Sequence, residues 1–304
     1  MLVQTFKLYE DREDVTLTAY VLDDSTELLN GKRRPAVLIC PGGAYLACSD
    51  REAEPVALRF ASMGYHAFVL RYSTYLEAEE PFEMIFQGIE KRERTVFPTA
   101  MHEIGKSLLL IREHASEWLV DSERIALCGF SAGAHNVATY AVYWNQPIVT
   151  DYFNASPQEL RPTVAILGYP ITDYVYMKET KMDERGAQLF KAANVSLLGE
   201  EVPNDQKLEQ VSPARHVTSD TPPMFIWGTA ADSLVPIGHS TRMATALADH
   251  EIPFELHIFE EGVHGLSLAT QATASSLTLI DEHAEKWINL VEKWLEKRFK
   301  LEIE

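Results

Sequence analysis

The sequence has few cysteines and no long apolar run, and each scarcity excludes a class of protein. Its 304 residues include only three cysteines, an odd number, so packed and reduced thiols are expected rather than a disulfide framework: Cys40, Cys48 and Cys128. No uninterrupted apolar run approaches the roughly 20 residues of a membrane span, and Met1 to Asp14 contain no apolar leader segment. We therefore expect a cytoplasmic protein.

Basic residues are also scarce relative to acidic ones. The chain has 27 Lys and Arg against 45 Asp and Glu, which gives a formal net charge of -18 at pH 7. This charge repels nucleic acid and anionic membrane surfaces, so the expected partner is a neutral or weakly charged small molecule. Hydrophobic residues make up 46% and charged residues 24% of the chain, an ordinary balance for a globular protein with a sizeable core. We interpret residues 1–304 as one domain.

Short apolar runs alternate with longer stretches of helical period. This alternation is typical of an α/β fold with a mostly parallel, doubly wound sheet and helices on both faces. Several of the seven predicted strands are continuously apolar, as buried parallel strands are; the seven are Val15–Val21, Ala36–Cys40, Ala67–Arg71, Ile125–Cys128, Val164–Leu167, Met224–Trp227 and Phe254–Phe259. Ser49 and Glu52 have the spacing of a capping box ahead of a helix through Met63. Near the C-terminus, four apolar residues with helical spacing predict a core helix: Trp287, Val291, Trp294 and Leu295.

Two segments do not fit this alternation, 75–97 and 171–221. The first is dense in Glu and Arg, and the second is long and broken by Gly and Pro. Inserted segments at the carboxyl edge of an open sheet commonly form lids or substrate walls, so both are predicted to be small cap insertions. Alternatively, the two segments are surface excursions or form the contact between the copies of a homodimer. An edge strand is a second candidate for that contact.

A serine flanked by glycines is the first candidate for chemistry. Gly129, Ser131 and Gly133 form a G-x-S-x-G pattern directly after a predicted strand and at the start of a predicted helix. Such a strand-to-helix turn holds the serine in a strained conformation, so the residues two positions away on each side must be small. The helix that begins at Ala132 also points backbone N–H groups at an oxyanion formed beside the serine. Pattern and context predict that Ser131 is a nucleophile.

A glycine-rich turn follows the predicted strand that ends at Cys40. Three segments accompany the serine motif: Pro41-Gly42-Gly43-Ala44-Tyr45, Ser49-Asp50-Arg51-Glu52 and Leu70-Arg71-Tyr72-Ser73. Together they resemble the bacterial esterase/lipase branch of the α/β-hydrolase superfamily, which includes acetyl-xylan-esterase-like and other carbohydrate esterases. The resemblance covers nearly the whole chain.

This resemblance implies an α/β-hydrolase fold with an oxyanion hole of backbone N–H groups. Carried over to this sequence, the donors are the N–H groups of Gly43, Ala44 and Ala132. Pro41 stands where the family has a leading histidine, and Ala44 stands at the third glycine. The anchoring of the loop is therefore expected to differ, although Ala44 still supplies an N–H group.

The acid and the base are expected after the serine, because the chain order in this fold is Ser, then Asp or Glu, then His. Asp232 follows the predicted strand Met224–Trp227, and His264 follows Phe254–Phe259. Each is expected to project from the same sheet edge as Ser131. A neutral imidazole can then accept the serine proton while the carboxylate holds its tautomer.

The sequence contains other acids and histidines that compete with these two residues. Asp173 is the rival acid, because some relatives of this fold carry the carboxylate one strand earlier. His257 lies within a strand, His135 lies one helical turn beyond the serine, and His102-Glu103 lacks the second histidine of an H-E-x-x-H zinc site. No metal site and no cofactor are predicted.

The remaining site candidates are neighbours of these loops. Tyr45, Tyr169 and Ser267 fit either a role in lining the substrate pocket or one in packing. The predicted function is a serine carboxylesterase that cleaves short-chain acyl esters, and the resemblance implies acetylated sugars or oligosaccharides as substrates. The alternatives are a serine peptidase of the prolyl-oligopeptidase type, which the missing propeller disfavours, and a catalytically silent binding protein with a hydrolase fold.

Overall fold

A central sheet organises the protein, whose structure is a computed structural model that describes residues 1–77 and 79–303. Within these residues the sheet has eight strands: β1 (Leu2–Tyr9), β2 (Arg12–Val21), β3 (Arg34–Cys40), β4 (His66–Arg71), β5 (Val120–Phe130), β6 (Val164–Gly168), β7 (Met224–Thr229) and β8 (Phe254–Phe259). Their spatial order is β1-β2-β4-β3-β5-β6-β7-β8. The β1-β2 and β2-β4 pairs are antiparallel, and the other pairs are parallel. The carboxyl ends of β3 to β8 therefore meet at one edge.

The predicted strands correspond to β2 through β8, and β1 is the strand that the sequence did not predict. Every residue of β3, β6 and β7 is buried, which explains their continuous apolar runs. In contrast, Leu2 to Thr5 are exposed in β1, an edge strand that pairs only with β2. An exposed edge strand needs no apolar pattern, so composition gave no signal for it.

Ten α-helices are found in the described residues: α1 (Glu54–Ser62), α2 (Thr99–Glu113), α3 (Ala132–Tyr143), α4 (Pro147–Phe153), α5 (Pro157–Leu160), α6 (Tyr174–Glu179), α7 (Glu184–Leu198), α8 (Asp205–Gln210), α9 (Gly238–Asp249) and α10 (Trp287–Glu296). Alternate residues of β3 face two hydrophobic clusters, Leu38 in one and Val37 in the other. The first cluster includes α2, α3 and α9, and the second includes α1 and α10, so helices cover both faces. The predicted core helix is confirmed, since Trp287 and Trp294 in α10 are buried.

The predicted capping box at Ser49 and Glu52 is wrong. Asp50–Glu52 form a short 3-10 turn, and α1 begins only at Glu54, with Pro55 in its first turn. The Ser49 side chain makes no capping hydrogen bond, and Glu52 is buried. The spacing matched a capping box, but the carboxylate is directed into the protein interior instead.

The two segments predicted as insertions pack against each other and against the loop after β3. Ile85 and Ala192, one from each segment, share a small buried cluster with Leu46 of that loop. The Thr95 hydroxyl donates to the Ser196 carbonyl oxygen at 2.8 Å, which joins the two segments again. Both segments therefore lie beside the glycine-rich turn. Their action as a cap over a substrate stays a prediction.

All three cysteines are free, as predicted, and Cys40 and Cys128 are buried. Across residues 1–77 and 79–303, helices are too short or too polar to cross a membrane.

A buried carboxyl group on α2 makes the stability of the fold depend on pH. Burial raises the pKa of Glu103 to about 7, although Ser73 donates both its N–H and its hydroxyl to the carboxylate and the Arg12 guanidinium lies 3.8 Å away. The folded state therefore retains a proton that the unfolded chain releases at the ordinary pKa of 4.5. This stabilising contribution is complete below pH 4.5 and is lost as the pH rises through about 7.

We expect Glu103→Gln to remove this dependence, because glutamine keeps the acceptor for Ser73 and cannot ionise. Relative to the variant, the wild-type free energy of unfolding should fall by on the order of 1 kcal/mol per pH unit across the window. Urea unfolding of both proteins at pH 5 and pH 8 measures the difference. Glu113→Gln, on the exposed side of the same helix, is the matched control and should follow the wild type. Parallel pH curves for wild type and Glu103→Gln would contradict the prediction.

Candidate active site

Ser131 lies at a sharp turn between β5 and α3. Its backbone has φ 52° and ψ -120°, and its N–H donates to the Gly168 carbonyl oxygen at 2.9 Å. A Cβ atom on Gly129 would lie 2.4 Å from the Gly133 carbonyl oxygen, and one on Gly133 would lie 2.1 Å from the Cys40 carbonyl oxygen. The turn therefore requires small residues at both positions, as the sequence pattern indicated. The strained conformation leaves Ser131 partly exposed at the carboxyl edge of the sheet.

The structure brings Ser131, His264 and Asp232 into one hydrogen-bonded line. The Ser131 Oγ lies 2.8 Å from His264 Nε2, and His264 Nδ1 lies 2.6 Å from Asp232 Oδ2. The other Asp232 oxygen accepts the N–H groups of Leu234 and Val235, each at 2.9 Å. With Nδ1–H donating to the carboxylate, Nε2 is left to accept the serine proton. The line therefore has the polarity that activates a hydroxyl.

The fold explains why residues so distant in sequence meet. Ser131 follows β5, Asp232 follows β7, and His264 follows β8. Parallel strands end at the same edge, where ligands bind in open α/β sheets. The Asp232 side chain is 2% exposed and that of His264 is 15% exposed. The carboxylate is thus shielded from water, whereas part of the imidazole stays accessible.

Asp173, the rival acid, is engaged elsewhere. It caps α6 by accepting the Tyr176 N–H at 3.0 Å, and the Arg215 Nε donates to the same oxygen at 3.1 Å. The imidazole near it belongs to His239, whose Nδ1 accepts the Asp173 backbone N–H. Geometry therefore favours Asp232 as the partner of His264.

The other histidines considered from the sequence are also held away from the serine. His135 accepts the Tyr45 hydroxyl at Nδ1 over 2.5 Å and donates from Nε2 to a backbone oxygen at 2.7 Å. Burial lowers the pKa of His135 to about 4, so its ring is neutral at pH 7. His102 binds the Ile148 carbonyl oxygen, and His257 stacks on Phe225. No group of three or more His, Cys, Asp or Glu residues in the described part of the chain could hold a metal ion.

The glycine-rich turn lies directly against the serine. A Cβ atom on Gly42 would be 3.0 Å from the Ser131 Cβ. Gly43, Ala44 and Tyr45 follow with φ values of 134°, 58° and 60°. The left-handed conformation at Ala44 costs roughly 1–2 kcal/mol for a residue with a Cβ atom. This cost explains why the family that the sequence resembles has a glycine at this position. The loop must therefore be held by its surroundings.

Backbone N–H groups of this turn are free to bind an anion. The Gly43 carbonyl oxygen accepts the N–H groups of Leu46 and Ala47, but across residues 1–77 and 79–303 the N–H groups of Gly43 and Ala44 donate to no protein acceptor. Ala132 is the first residue of α3, where an N–H group has no partner within the helix. Ala132 follows Ser131 directly, and the glycine-rich turn approaches Ser131 through Gly42. The use of the three donors as an oxyanion hole stays a prediction.

Tyr45, Tyr169 and Ser267, considered as pocket residues, are buried behind the site. Tyr45 and Ser267 are 1% and 0% exposed, and Tyr169 is 4% exposed. The Tyr45 hydroxyl binds His135, and the Ser267 hydroxyl donates to a backbone oxygen at 2.6 Å. Their polar atoms are thus engaged by protein groups, and the three side chains support the loops rather than offer free groups to a ligand.

Sequence reasoning missed one residue, Glu52. Its carboxylate accepts the Gly42 N–H at 2.7 Å and the Tyr169 hydroxyl at 2.5 Å, in the interior beside the site. The only signal in the sequence is an acidic residue shortly after a glycine-rich turn, and a local pattern read it as a helix cap. Its burial depends on residue 169, which is 117 positions away.

The sheet order, the two helical layers and the strained serine at the carboxyl edge define an α/β-hydrolase fold. The chain belongs to the BD-FAE family, whose family model matches residues 27–247.

The chain is also similar to several individual proteins. The chain is 29% identical to the carboxylesterase Cest-2923 from Lactobacillus plantarum WCFS1, with a TM-score of 0.79 and 98% of each chain covered. It is 29% identical to the acetyl ester-xyloside bifunctional hydrolase from Caldicellulosiruptor lactoaceticus, with a TM-score of 0.74 and coverage of 97% of this chain and 96% of that one. It is 31% identical over 258 residues to endo-1,4-beta-xylanase B from Butyrivibrio fibrisolvens, covering 83% of this chain and 35% of that protein. The chain spans between 35% and 52% of the length of the curated relatives it matches.

Proposed function

We propose that the protein is a serine carboxylesterase that cleaves short-chain acyl esters through an acyl-enzyme on Ser131. The observation that carries the proposal is the hydrogen-bonded line from Ser131 through His264 to Asp232. A hydroxyl group is a weak nucleophile at neutral pH, and this arrangement supplies the base and the orienting carboxylate that it needs. Relatives named as carboxylesterase and as acetyl ester-xyloside hydrolase support the same chemistry.

In the first half of the reaction, the Ser131 oxygen attacks the ester carbonyl carbon while His264 Nε2 takes the hydroxyl proton. The negative charge moves to the former carbonyl oxygen, where the N–H groups of Gly43, Ala44 and Ala132 stabilise it. His264 then returns the proton to the alcohol oxygen as that bond breaks. The alcohol leaves, and the acyl group remains on Ser131.

In the second half, water repeats the attack on the acyl-enzyme. His264 takes a proton from the water molecule, and the oxyanion forms again in the same place. Collapse of this intermediate transfers the proton to Ser131 and releases the carboxylic acid. Asp232 stabilises the imidazolium in both halves, so its charge is used twice in each turnover.

We further propose acetylated sugars or oligosaccharides as the substrate class. Support comes from two of the similar proteins, a xylanase and an acetyl ester-xyloside bifunctional hydrolase. The net charge of -18 also favours a neutral substrate over an anionic one. An acetylated xylo-oligosaccharide meets both conditions.

A series of nitrophenyl esters from acetate to decanoate tests the acyl preference, followed by acetylated xylo-oligosaccharides with release of acetate as the readout. We expect kcat/KM to be highest for acetate and to fall with chain length, since each methylene that a pocket cannot hold costs about 1–3 kcal/mol. A preference for decanoate would exclude the carbohydrate substrate.

Labelling with a fluorophosphonate probe tests the acyl-enzyme step separately. The probe should modify Ser131 stoichiometrically, and mass spectrometry of the labelled peptide locates the adduct. Folded protein that stays unlabelled would support a catalytically silent binding protein instead. Turnover of aminoacyl amides faster than of esters would support a peptidase.

A further inference from the structure

A buried carboxylate connects the glycine-rich turn to the rest of the site. Glu52 is 3% exposed, and its two oxygens accept hydrogen bonds from the Gly42 N–H at 2.7 Å and the Tyr169 hydroxyl at 2.5 Å. Both donors are neutral groups. Burial raises the pKa of Glu52, in opposition to these two hydrogen bonds. A carboxylate in such surroundings is unfavourable for folding, so its contacts need an explanation beyond stability.

Tyr169 extends the connection to the loop that carries the histidine. Its hydroxyl donates to Glu52, and its oxygen accepts the Ser267 N–H at 2.9 Å. The Tyr169 ring packs edge-on against the His264 ring, with centroids 5.1 Å apart and planes at 70°. Tyr169 and Ser267 have φ values of 38° and 55°. Residues with a side chain adopt this left-handed backbone conformation only when their surroundings hold them in it. The contacts of Tyr169 therefore fix one side of the imidazole.

Arg51 adds a second connection to the same loop. Its guanidinium donates to the Gly265 carbonyl oxygen at 2.8 Å, and its own carbonyl oxygen accepts the Ser267 hydroxyl at 2.6 Å. Residues 51 and 52 thus bind the histidine loop, residues 264–267, directly and through Tyr169. They also bind the glycine-rich turn through Gly42.

We propose that Glu52 is a positioning residue for hydrolysis. It fixes the positions of two segments around Ser131: the turn that contains Gly43 and Ala44, and the loop that contains His264. The inference rests on the proposed function. Glu52 does not touch the reacting atoms, so it acts through Gly42 on one side and through Tyr169 on the other. A misplacement of about 1 Å in such groups can cost about 100-fold in rate.

Glu52→Gln isolates this role, because glutamine has nearly the same volume. Its carbonyl oxygen is needed by the Gly42 N–H, which can only donate, so its NH2 group faces the Tyr169 oxygen, which already accepts the Ser267 N–H. The hydrogen bond from the Tyr169 hydroxyl to the carboxylate is lost. We expect kcat for nitrophenyl acetate to fall about 10- to 100-fold, within the range of a misplaced group, with KM changed less than about threefold. Glu54→Gln, the same change at an exposed position two residues away, should stay within about twofold of wild type.

Tyr169→Phe tests the other half of the connection. It removes the hydroxyl that binds Glu52 and Ser267 and keeps the ring against His264. Tyr140→Phe is its matched control, because the Tyr140 hydroxyl is also buried and donates to the Leu160 carbonyl oxygen away from the site. We expect Tyr169→Phe to lower kcat about 10-fold and Tyr140→Phe to leave kcat unchanged. The double variant of Glu52 and Tyr169 should be less impaired than the product of the two single effects, since both changes break the same hydrogen bond, the one between Glu52 and Tyr169.

All rates are expressed per active site, titrated with the fluorophosphonate probe, so that a loss of folded protein does not count as a loss of rate. The inference is overturned by wild-type kcat per labelled site in Glu52→Gln, or by fully multiplicative effects in the double variant. If Glu52→Gln does not fold, the comparison of Tyr169→Phe with Tyr140→Phe is the deciding test. Equal kcat values for these two variants would overturn the inference. Failure of the proposed function has a different signature: wild-type protein without labelling, or Ser131→Ala with undiminished hydrolysis.

Discussion

Ser131→Ala should lower kcat for ester hydrolysis by about 10⁴- to 10⁶-fold, because the variant lacks the oxygen that forms the acyl bond. The hydroxyl makes one hydrogen bond to His264, and the backbone turn is held by Gly168, so the fold should persist. Residual hydrolysis would come from the oxyanion donors and substrate binding. Steady-state rates with nitrophenyl acetate measure the loss, and urea unfolding shows that the variant is folded.

Ser107→Ala provides the control for this change. It removes a buried serine hydroxyl that donates to the Glu103 carbonyl oxygen at 2.7 Å, on α2 and away from the turn. Its kcat should match wild type, with a small decrease in the unfolding midpoint. Near-wild-type hydrolysis by Ser131→Ala would exclude this serine as the nucleophile.

We expect the second large effect from Asp232→Asn, which should lower kcat about 10⁴-fold. The carboxylate accepts from His264 Nδ1 at 2.6 Å, and it also accepts two backbone N–H groups. An amide NH2 group facing Nδ1 would favour the tautomer with its proton on Nε2, which cannot accept from the serine. The three side chains would keep their positions, but His264 Nε2 could no longer accept the proton of Ser131. Rates with nitrophenyl acetate across pH 6 to 9 measure the effect.

Asp173→Asn is the matched variant, because Asp173 is the other acid that the sequence left open. Asparagine can still cap α6, so the expected change is a modest loss of stability with unaltered kcat. If Asp173→Asn reduced kcat by orders of magnitude while Asp232→Asn did not, the acid would be assigned to the loop after β6. The kcat values of the two variants together therefore decide whether the acid follows β7 or β6.

The sequence predicted those parts of the fold that depend on local pattern. Buried parallel strands such as β3 and β7 are continuously apolar, and the residues that follow strands are placed at the site by topology alone. This is why the sequence alone could place Ser131, Asp232 and His264 at the same sheet edge. The exposed edge strand β1 lacked such a pattern and was missed.

The parts that were not predicted depend on contacts between distant residues. Glu52 matched a capping box with Ser49, yet the structure buries it against Tyr169. Similarly, Tyr45 was considered for the pocket because of its neighbours, and its hydroxyl binds His135 in the interior. A residue's spacing indicates which local structures it can form, whereas its burial is decided by side chains that fold onto it from elsewhere.

The long sequence separations within the site have a consequence for biosynthesis. Ser131 and His264 are 133 positions apart, and Arg51 donates to the Thr273 carbonyl oxygen across 222 positions. A nascent chain that has exposed only β1 to β7 can pair most of its sheet, but its serine has no imidazole partner. During translation, the Ser131 hydroxyl therefore has no imidazole to accept its proton until β8 and the loop with His264 have left the ribosome.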